Sequence, residues 1–351
     1  MTTQPELPEI IAVRDAHRFD EAALESYLAA QIDGFRPPMA VQQFDRGHSN
    51  PTFMITAGGK EYVVRKQPPG ELLKSAHAVD REHRVMDALW GTDVPVPRMY
   101  HFCADPSILG TPFFVMERLE GRVFTEYAAA GNDARERRAM FREAMRVLAA
   151  LHAVDYGAVG LGDFGRPGNY IQRQYHRWTK QYLASQTEEI ESFQKLMAWL
   201  PERMPTEEET TIVHGDYGLH NMMFAPTEPR VVGLLDWELS TLGNPLADIS
   251  YFASRFFSED PRRVVPMAPG ENGLPTVPEV LADYTEFSGR EVPDFTFYVV
   301  YNMYRSAAIV QGVYYRGVQG NAASSRVFET EGIARRTADI AWRLAQEGLP
   351  T

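Results

Sequence analysis

The amino-acid sequence predicts an α+β protein with two lobes, of which the first is small and rich in strands and the second is larger and mostly helical. The chain has 351 residues, which is more than one hydrophobic core usually serves. Short β-branched and aromatic segments prevail up to residue 117, and longer segments with helical spacing follow. The predicted lobes are therefore residues 1–117 and 118–351.

In the first lobe, an early helix precedes several strands. Asp20 is a predicted N-cap, since apolar side chains recur at helical spacing from there to Ile32. β-branched and aromatic residues predict strands at 41–44, 52–56 and 61–66, with Gly58-Gly59 as the turn between the last two. A helix over 75–90 and a buried strand over 113–116 follow.

The second lobe is predicted to be mainly helical. Asp133 begins a helix whose apolar stripe extends to Leu151. Two short strands, at 211–213 and 231–235, enclose a loop with most of the polar residues of interest. The last helix covers 332–347 and ends at Gly348, because glycine readily adopts the conformation that ends a helix.

Composition limits the class of partner. The formal net charge of −12 argues against a nucleic-acid partner, because phosphate backbones require a basic surface. Cys103 is the single cysteine, which excludes an intrachain disulfide. No apolar segment is long enough to cross a membrane, and the first residues do not resemble a secretory signal. We therefore expect a cytoplasmic protein with no membrane partner, either a monomer or a homodimer.

The strongest chemical signal is the segment H-G-D-Y-G-L-H-N, which is followed by L-L-D-W-E. Asp216 precedes Asn221 by five residues, and Asp236 follows an apolar strand. Protein kinases use this arrangement, in which one Asp acts on the acceptor hydroxyl while an Asn and a second Asp bind magnesium. Each residue alone would be interpreted as part of a turn or a helix cap. Their combined spacing predicts a phosphoryl-transfer site with Mg²⁺ held by oxygen ligands.

A kinase-type site also requires groups that hold the nucleotide phosphates. Arg65 in the third strand is the candidate for this contact, and Glu82 in the next helix is its candidate partner, although a solvated helix face explains Glu82 nearly as well. Strand alternation directs Lys66 to the opposite face, where we expect it to be exposed. Ser49 and Asn50 belong to a segment with a single glycine, which is either a phosphate cradle or a plain hairpin turn.

These motifs resemble those of the aminoglycoside phosphotransferase and choline kinase-like family, which has a protein-kinase-like fold. H-G-D-Y-G-L-H-N, L-L-D-W-E and G-N-P-L-A-D carry the resemblance to the family. S-N-P-T-F, Y-V-V-R-K-Q-P-P-G and L-D-W-E-L-S-T-L-G-N-P-L-A-D resemble, more narrowly, the kinase-like part of acyl-CoA dehydrogenase family members 10 and 11. The similarity extends from about Phe44 to Arg316.

The resemblance implies a small-molecule kinase that uses ATP or GTP together with Mg²⁺. It implies Asp216 as the catalytic base, and Asn221 and Asp236 as magnesium ligands. Glu238 would assist at the metal. Arg65 would contact the phosphates from the place where most kinases have Lys, which makes a different, point-charge contact.

The same resemblance implies a hinge beside the adenine at Met116, Glu117 and Arg118, and support of the catalytic loop by Asp248. Gly215 stands where protein kinases have Arg, so control by a phosphorylated activation loop is not expected. The reduced glycine segment and the Arg at position 65 leave an alternative open. In it, the chain is a catalytically silent module that binds a nucleotide or a metabolite.

The acceptor is predicted to be a small hydroxylated molecule. Its candidate contacts are Tyr301, Arg305, Tyr315 and Arg316, and these residue types favour an anionic or acyl-bearing alcohol, although core tyrosines and solvated arginines explain them equally well. A hydroxyacyl-CoA is the first expectation, because the resemblance offers a precedent, and an aminoglycoside is the second. A metal-dependent hydrolase built on His214, Asp216 and Asp236 is a third interpretation, which the lack of a second histidine cluster at ligand spacing disfavours.

Overall fold

Strands are concentrated before residue 124 and helices after residue 133. The computed structural model describes residues 9–45, 50–68, 78–124, 133–258, 268–319 and 330–350. The strands in these ranges are β1 (Ile10–Ile11), β2 (Met39–Phe44), β3 (Thr52–Ala57), β4 (Lys60–Lys66), β5 (Met99–Cys103), β6 (Phe113–Glu117), β7 (Arg122–Val123), β8 (Thr211–Val213), β9 (Met222–Phe224), β10 (Val231–Leu234) and β11 (Thr241–Gly243). The helices are α1 (Glu21–Gln31), α2 (Val79–Leu89), α3 (Pro106–Leu109), α4 (Ala134–Ala153), α5 (Tyr170–Ser185), α6 (Glu191–Trp199), α7 (Pro245–Ser254), α8 (Val277–Ser288), α9 (Phe295–Val318) and α10 (Ile333–Glu347).

The described residues fall into two units. The first contains the residues up to 124 together with Gly157–Leu161 and Leu219–Ser240, and the second contains the remaining described residues. The predicted division into 1–117 and 118–351 stays a prediction. It differs from the two units chiefly in the place of Leu219–Ser240, the segment that carries Asn221 and Asp236.

The first unit is built on an antiparallel sheet of six strands in the order β1-β2-β3-β4-β6-β5. Successive side chains of a strand point to opposite faces, so the sheet has two different surfaces. Phe53, Ile55, Val64 and Val115 share one apolar cluster with Leu24 of α1. This face therefore forms the main hydrophobic core of the unit.

The opposite face of the sheet carries the polar residues of the candidate site. Val63 and Arg65 alternate along β4 with Tyr62 and Val64, which belong to the core cluster. Helix α2 packs against β5 and β6. It brings Glu82, which is 1% exposed, to this second face.

Lys66 is buried, which corrects the expectation that it would be exposed. It lies on the face opposite Arg65, as strand alternation predicts, but it is only 7% exposed. Its ammonium donates to the carbonyl oxygen of Leu109 at 2.9 Å and lies over the ring of Phe19. Burial lowers the pKa of this ammonium. The apolar stem and the hydrogen bond explain how the core tolerates the residue.

Two smaller sheets carry the loops that hold the polar motifs. In the first unit, β9 pairs with β10 on one side and with β7 on the other. In the second unit, β8 pairs with β11. The sequence predicts β8 and β10 but not their partners β9 and β11, which show no period.

Helix α9 occupies the centre of the second unit. Helices α5, α7 and α10 pack against it, and its first half is buried on nearly all sides. A helix that is apolar around its whole circumference is typical of a position inside a layer of helices. Helices α4 and α8 form a further packed pair. In the described part of the chain, no helix combines the length and apolar character that crossing a membrane requires.

The predicted fold class is confirmed, and several helix ends and turns agree with the sequence. The carboxylates of Asp20 and Asp133 accept hydrogen bonds from backbone amides at the starts of α1 and α4. Gly58 and Gly59 form the turn between β3 and β4 with positive φ angles. Periodicity does not predict β5, which follows soon after the helix-breaking Pro97. The predicted start of the second helix lies outside the described residues, which place α2 from Val79 onward.

Asp283 of α8 links this helix to two arginines of α4. Its buried carboxylate accepts from Arg138 at 2.6 Å and from Arg142 at 2.8 Å. We expect Asp283→Ala to lower the free energy of unfolding by about 1–3 kcal/mol, because two guanidinium groups lose their shared partner. Urea denaturation followed by circular dichroism measures the change. The control is Glu188→Ala, which removes an exposed pair with Arg335 and should cost less than about 0.5 kcal/mol. Equal costs for the two variants would contradict the prediction.

Candidate active site

The β9–β10 hairpin explains how Asn221 and Asp236 come together although fifteen residues separate them in sequence. Met222 pairs with Leu234 at the end of the ladder. The amide of Leu235 then donates to the carbonyl oxygen of Asn221 at 2.8 Å. Asn221 precedes one strand and Asp236 follows the other, so both lie at the same end of the hairpin.

A buried tryptophan fixes the backbone beside Asp236. Asp236 has a left-handed backbone conformation with φ of 63°, which costs of the order of 1 kcal/mol for a residue other than glycine. Trp237 is fully buried, and its indole N–H donates to the carbonyl oxygen of Leu234 at 2.9 Å. Glu238 follows in a partly exposed turn. The D-W-E segment is therefore a tight turn anchored by the indole.

Arg65 is ion-paired in the first unit with Glu82, its predicted partner, and with Asp236, which is a predicted magnesium ligand. Its Nε lies 3.0 Å from Glu82 Oε2, and its Nη2 donates to Asp236 Oδ1 at 3.2 Å. The arginine side chain is 14% exposed. The guanidinium thus joins β4, α2 and the D-W-E turn, while the roles of Arg65, Glu82 and Asp236 in a kinase stay predictions.

Glu82 is a buried carboxyl and not part of a solvated helix face. Asn50 donates to its Oε1 at 2.8 Å, so Asn50 contacts the site through this carboxyl. Burial raises the pKa of Glu82 to about 7, opposed by the charge of Arg65, while Asp236 and Glu238 add to the rise. Ser49 lies outside the described residues, as does the rest of the candidate cradle before Asn50.

A cavity of about 190 Å³ opens beside these charged groups in the first unit. Its polar lining includes Arg65, Glu82 and Asp236. The predicted hinge residues Met116, Glu117 and Arg118 also line it. Most of the remaining lining is apolar: Phe44, Val63, Met86, Phe114, Leu119, Met223 and Leu235. A cavity with a mostly apolar lining and a few charged side chains suits a ligand that combines a flat ring with a charged group.

The oxygen atoms at the end of the hairpin fit a hard cation such as Mg²⁺. The Asp236 side chain is 36% exposed, and its neighbour Asn221 offers an amide oxygen. Among the described residues, no group of three or more His, Cys, Asp or Glu could hold a metal ion. Magnesium is nevertheless commonly held by one or two protein oxygens together with water and substrate phosphates. Asn221, Asp236 and Glu238 would supply the protein part of such a shell.

In the second unit, Asp248 holds the loop that carries Asp216. Its carboxylate accepts from the backbone amides of His214 at 2.6 Å and of Gly215 at 2.9 Å. Burial by itself would raise the pKa of Asp248, but these hydrogen bonds and the nearby His152 keep the pKa below its usual value. Gly215 has φ of 84°, a conformation that favours glycine. Asp248 therefore anchors a turn that directs Asp216 away from β8.

Charged and aromatic side chains surround Asp216 within the second unit. Tyr251 of α7 donates to its Oδ1 at 2.5 Å, and Arg255 lies 3.7 Å from the same oxygen. Sequence reasoning missed both residues. The signal that could have found Tyr251 is its position three residues after Asp248, which places both on one side of a helix.

The four candidate acceptor contacts all belong to α9, but they have different environments. Tyr301 and Arg305 are buried, Tyr315 is partly exposed and Arg316 is exposed. Arg305 donates to the carbonyl oxygen of Gly215 at 3.0 Å and so supports the loop before Asp216. The four residues do not form one surface, and their role in acceptor binding stays a prediction.

The chain belongs to the phosphotransferase enzyme family, whose family model matches residues 40–291. The fold and the sequence motifs agree with this assignment. The predicted family, the kinase-like fold and the enzyme class of small-molecule kinases are thereby confirmed.

Curated relatives contain a similar sequence within a longer protein. The probable acyl-CoA dehydrogenase IBR3 of Arabidopsis thaliana is 40% identical in an alignment 348 residues long, which covers 92% of this chain and 42% of the relative. Acyl-CoA dehydrogenase family member 11 of Homo sapiens is 36% identical in an alignment 362 residues long, which covers 100% of this chain and 46% of the relative. The chain therefore spans less than half the length of these two relatives.

Solved structures share the fold. A Ralstonia eutropha protein, provisionally described as an aminoglycoside phosphotransferase, is 44% identical with a TM-score of 0.86, covering 94% of this chain and 99% of the other. The aminoglycoside phosphotransferase APH(4)-Ia, solved as a ternary complex with ADP and hygromycin B, is 16% identical with a TM-score of 0.58, covering 93% and 99%. At this lower identity the likeness concerns the fold alone.

Glu82 makes the stability of the protein depend on pH. Its pKa is raised from 4.5 to about 7, so the folded protein binds this proton more tightly than the unfolded chain. The stability due to the protonated carboxyl is therefore present below pH 4.5 and is lost as the pH rises towards 7. Glu82→Gln cannot ionise. We expect its free energy of unfolding to fall less between pH 5 and pH 8 than that of the wild type, by up to roughly 3 kcal/mol.

Urea denaturation at several pH values measures this slope, which is independent of any constant cost of the substitution. The matched control is Glu143→Gln, which removes a carboxylate that pairs with Arg146 on α4. The control should keep the wild-type slope. A wild-type slope in Glu82→Gln as well would show that Glu82 does not titrate in this range.

Proposed function

We propose that this chain transfers the γ-phosphate of ATP or GTP to a hydroxyl group of a small molecule, with Mg²⁺ as cofactor. The observation that carries the proposal is the guanidinium of Arg65 between Glu82 and Asp236 at the wall of the cavity in the first unit. Phosphoryl transfer depends on positioning and on offsetting charge, and an ion-paired cation beside a metal-binding carboxylate serves both purposes.

The nucleotide is proposed to bind in this cavity. Its apolar lining, including Val63 and Phe114, would pack against the base, and the hinge residues Met116, Glu117 and Arg118 would lie beside it. Arg65 would contact the phosphates from the charged end of the cavity. Mg²⁺ would offset the charge of the phosphates when bound, held by the oxygens of Asn221, Asp236 and Glu238.

Asp216 is proposed as the group that accepts the proton of the acceptor hydroxyl. The hydroxyl oxygen forms a bond to the γ-phosphorus while the bond from that phosphorus to the β,γ-bridging oxygen breaks, and the nucleoside diphosphate leaves. The hydroxyl proton passes to the Asp216 carboxylate. The anchored turn at Gly215 supports this role, since a base must be held in place to act on one hydroxyl.

We propose that the acceptor carries an acyl or anionic group, with a hydroxyacyl-CoA as the first candidate. Two guanidinium groups, of Arg255 and Arg305, belong to the surroundings of Asp216 in the second unit. They favour negative charge on the acceptor and disfavour a polycation. The names of the relatives, which are acyl-CoA dehydrogenases, also support an acyl thioester. An aminoglycoside is the second candidate, because the structural likeness includes enzymes of that class.

A catalytically silent nucleotide-binding module remains the competing function. The ion pair between Arg65 and Asp236 favours it, because a metal would have to share that carboxylate with a cation. A module that only binds has no use for a proton acceptor, however. The role of Asp216 therefore separates the two functions.

Asp216→Asn removes the proposed proton acceptor and keeps the size of the side chain. We expect kcat for phosphate transfer to fall by roughly 10²–10⁴-fold, because the amide cannot take the hydroxyl proton. Transfer from [γ-³²P]ATP is measured against a panel of hydroxyacyl-CoA thioesters, choline, homoserine and aminoglycosides. The same panel identifies the acceptor class.

The matched control is Asp339→Asn, on the exposed side of α10, which should keep the wild-type rate. A full rate in Asp216→Asn would remove Asp216 from this role. Binding of Mg–ATP without transfer to any member of the panel would favour the silent module.

Asp236→Asn removes the anionic ligand proposed for Mg²⁺. The wild type should gain about 2–3 kcal/mol of stability from Mg–ATP at roughly one hundred times its Kd, seen as a rise in Tm. We expect Asp236→Asn to lose the magnesium-dependent part of this rise, while Asp216→Asn should keep it. Thermal melts with ATP and either Mg²⁺ or EDTA measure the difference. A full magnesium-dependent rise in Asp236→Asn would place the metal ligand elsewhere.

A further inference from the structure

Tyr251 makes a short side-chain contact with Asp216. Its hydroxyl donates to Asp216 Oδ1 at 2.5 Å, and Tyr251 is 7% exposed. The two residues reach each other from separate elements, since Asp216 follows β8 and Tyr251 belongs to α7. The helix that holds the loop through Asp248 therefore also contacts the carboxylate itself.

Arg255 fixes the direction of this hydrogen bond. Its Nη2 donates to the hydroxyl oxygen of Tyr251 at 3.2 Å. A guanidinium has donors and no acceptor, so the tyrosine oxygen accepts there and its proton is directed elsewhere. The remaining neighbour is Asp216, which as a carboxylate can only accept. Tyr251 is consequently held as the donor towards Asp216.

The ring of Tyr251 is also held in place by charge. The guanidinium carbons of Arg255 and Arg305 both lie 5.2 Å from its centroid. A cation over a phenol ring attracts its electrons and strengthens the hydroxyl as a donor. Arg305 is buried and binds the Gly215 carbonyl, so it ties the position of the ring to the loop before Asp216.

We propose that Tyr251 is a positioning residue that holds the carboxylate of Asp216 ready to accept the acceptor's proton. The proposal rests on the function proposed above, in which Asp216 is that acceptor. The Asp216 side chain is 27% exposed, and a hydrogen bond donated to it restricts its rotamers. A donated hydrogen bond and the charge of Arg255 favour the ionised carboxylate and one orientation of it. Tyr251 keeps its own proton throughout, so the step remains a single transfer to Asp216.

His214 and Arg305 contact or act on Asp216 in other ways than Tyr251 does. His214 accepts from the amide of Asp216 at 3.3 Å and so contacts its backbone. Arg305 acts on Asp216 through charge and through Gly215. Tyr251, by contrast, donates to the carboxylate oxygen itself.

Tyr251→Phe tests the proposal by removing one oxygen atom. The probe is Mg–ATP with water as the acceptor, followed by release of phosphate between pH 4 and pH 8. We expect kcat to fall by roughly 10–100-fold, the loss typical of a hydrogen bond to a charged group. We expect the acid limb of kcat to move up by about one pH unit, since the carboxylate loses a donor that favours its ionised form. The KM for Mg–ATP should change by less than about threefold, because this contact is made to Asp216 and not to the nucleotide.

The matched control is Tyr314→Phe, on α9, which removes another tyrosine hydroxyl that donates to a carboxylate, that of Glu331 at 3.4 Å. It should keep the wild-type rate and acid limb. An unchanged rate in Tyr251→Phe overturns the proposal. A lower rate with an unmoved acid limb also overturns it, because a residue with only a structural role would have that effect.

Two further variants keep the outcomes separate. Should Tyr251→Phe fail to fold in a thermal melt, Arg255→Gln removes the donor that directs the tyrosine hydroxyl, and the same upward move of the acid limb is expected. An unmoved limb in that variant overturns the proposal. Asp216→Asn is assayed beside them. If it hydrolyses Mg–ATP at the wild-type rate, the proposed function fails, whereas a slow Asp216→Asn with a normal Tyr251→Phe removes the positioning role alone.

Discussion

The guanidinium of Arg65, shared between the carboxylates of Glu82 and Asp236, is the interaction on which the candidate nucleotide site depends. It joins a strand, a helix and a turn that are far apart in the sequence. Glu82 is 1% exposed, and an unpaired buried carboxylate would cost several kcal/mol, on the order of the whole stability of many domains. The arginine and the amide of Asn50 offset only part of that cost, which is why burial still raises the pKa of Glu82 to about 7. The carboxyl of Glu82 therefore changes between its protonated and its ionised form near neutral pH.

Asp236 has a strained backbone and Gly215 has a left-handed one that glycine adopts readily, and each position is held by a buried neighbour. Gly215 precedes the proposed base, and Asp236 is a proposed metal ligand, and both have positive φ angles. Asp248 accepts the amides around Gly215, and the buried indole of Trp237 holds the turn at Asp236. Strain of this kind persists only where surrounding contacts determine the backbone. The conformations of the two carboxylates are thus consequences of packing behind them.

Much of the fold and part of the candidate site can be predicted from the sequence, and the limits have physical causes. The N-cap at Asp20 and the turn at Gly58 can be predicted because each depends on a few neighbouring residues in the sequence. The pairing of Arg65 with Glu82 follows from strand alternation and a family pattern. The contact of Tyr251 with Asp216 is not predicted, because the two are thirty-five residues apart in sequence, and the signal that exists is indirect, through the spacing of Tyr251 from Asp248 on one helix. The burial of Lys66 is not predicted for a similar reason, since its hydrogen-bond acceptor is the backbone carbonyl of Leu109, which is distant in sequence.

The contrast between Arg65 and Lys66 explains why a guanidinium stands at the first of these adjacent positions. Lys66 donates to one carbonyl oxygen, and its stem packs among apolar side chains. A flexible stem with a compact charge suits this environment. Arg65 pairs with two carboxylates on different segments, at 3.0 Å and 3.2 Å, through different nitrogen atoms. A planar guanidinium with donors at fixed angles can pair with both carboxylates at once. An ammonium placed close to one carboxylate would be less well placed for the other. An arginine in place of the usual kinase lysine is therefore compatible with a contact to the nucleotide phosphates. The arginine keeps Glu82 and Asp236 at fixed positions, and its remaining N–H groups are suited to phosphate oxygens.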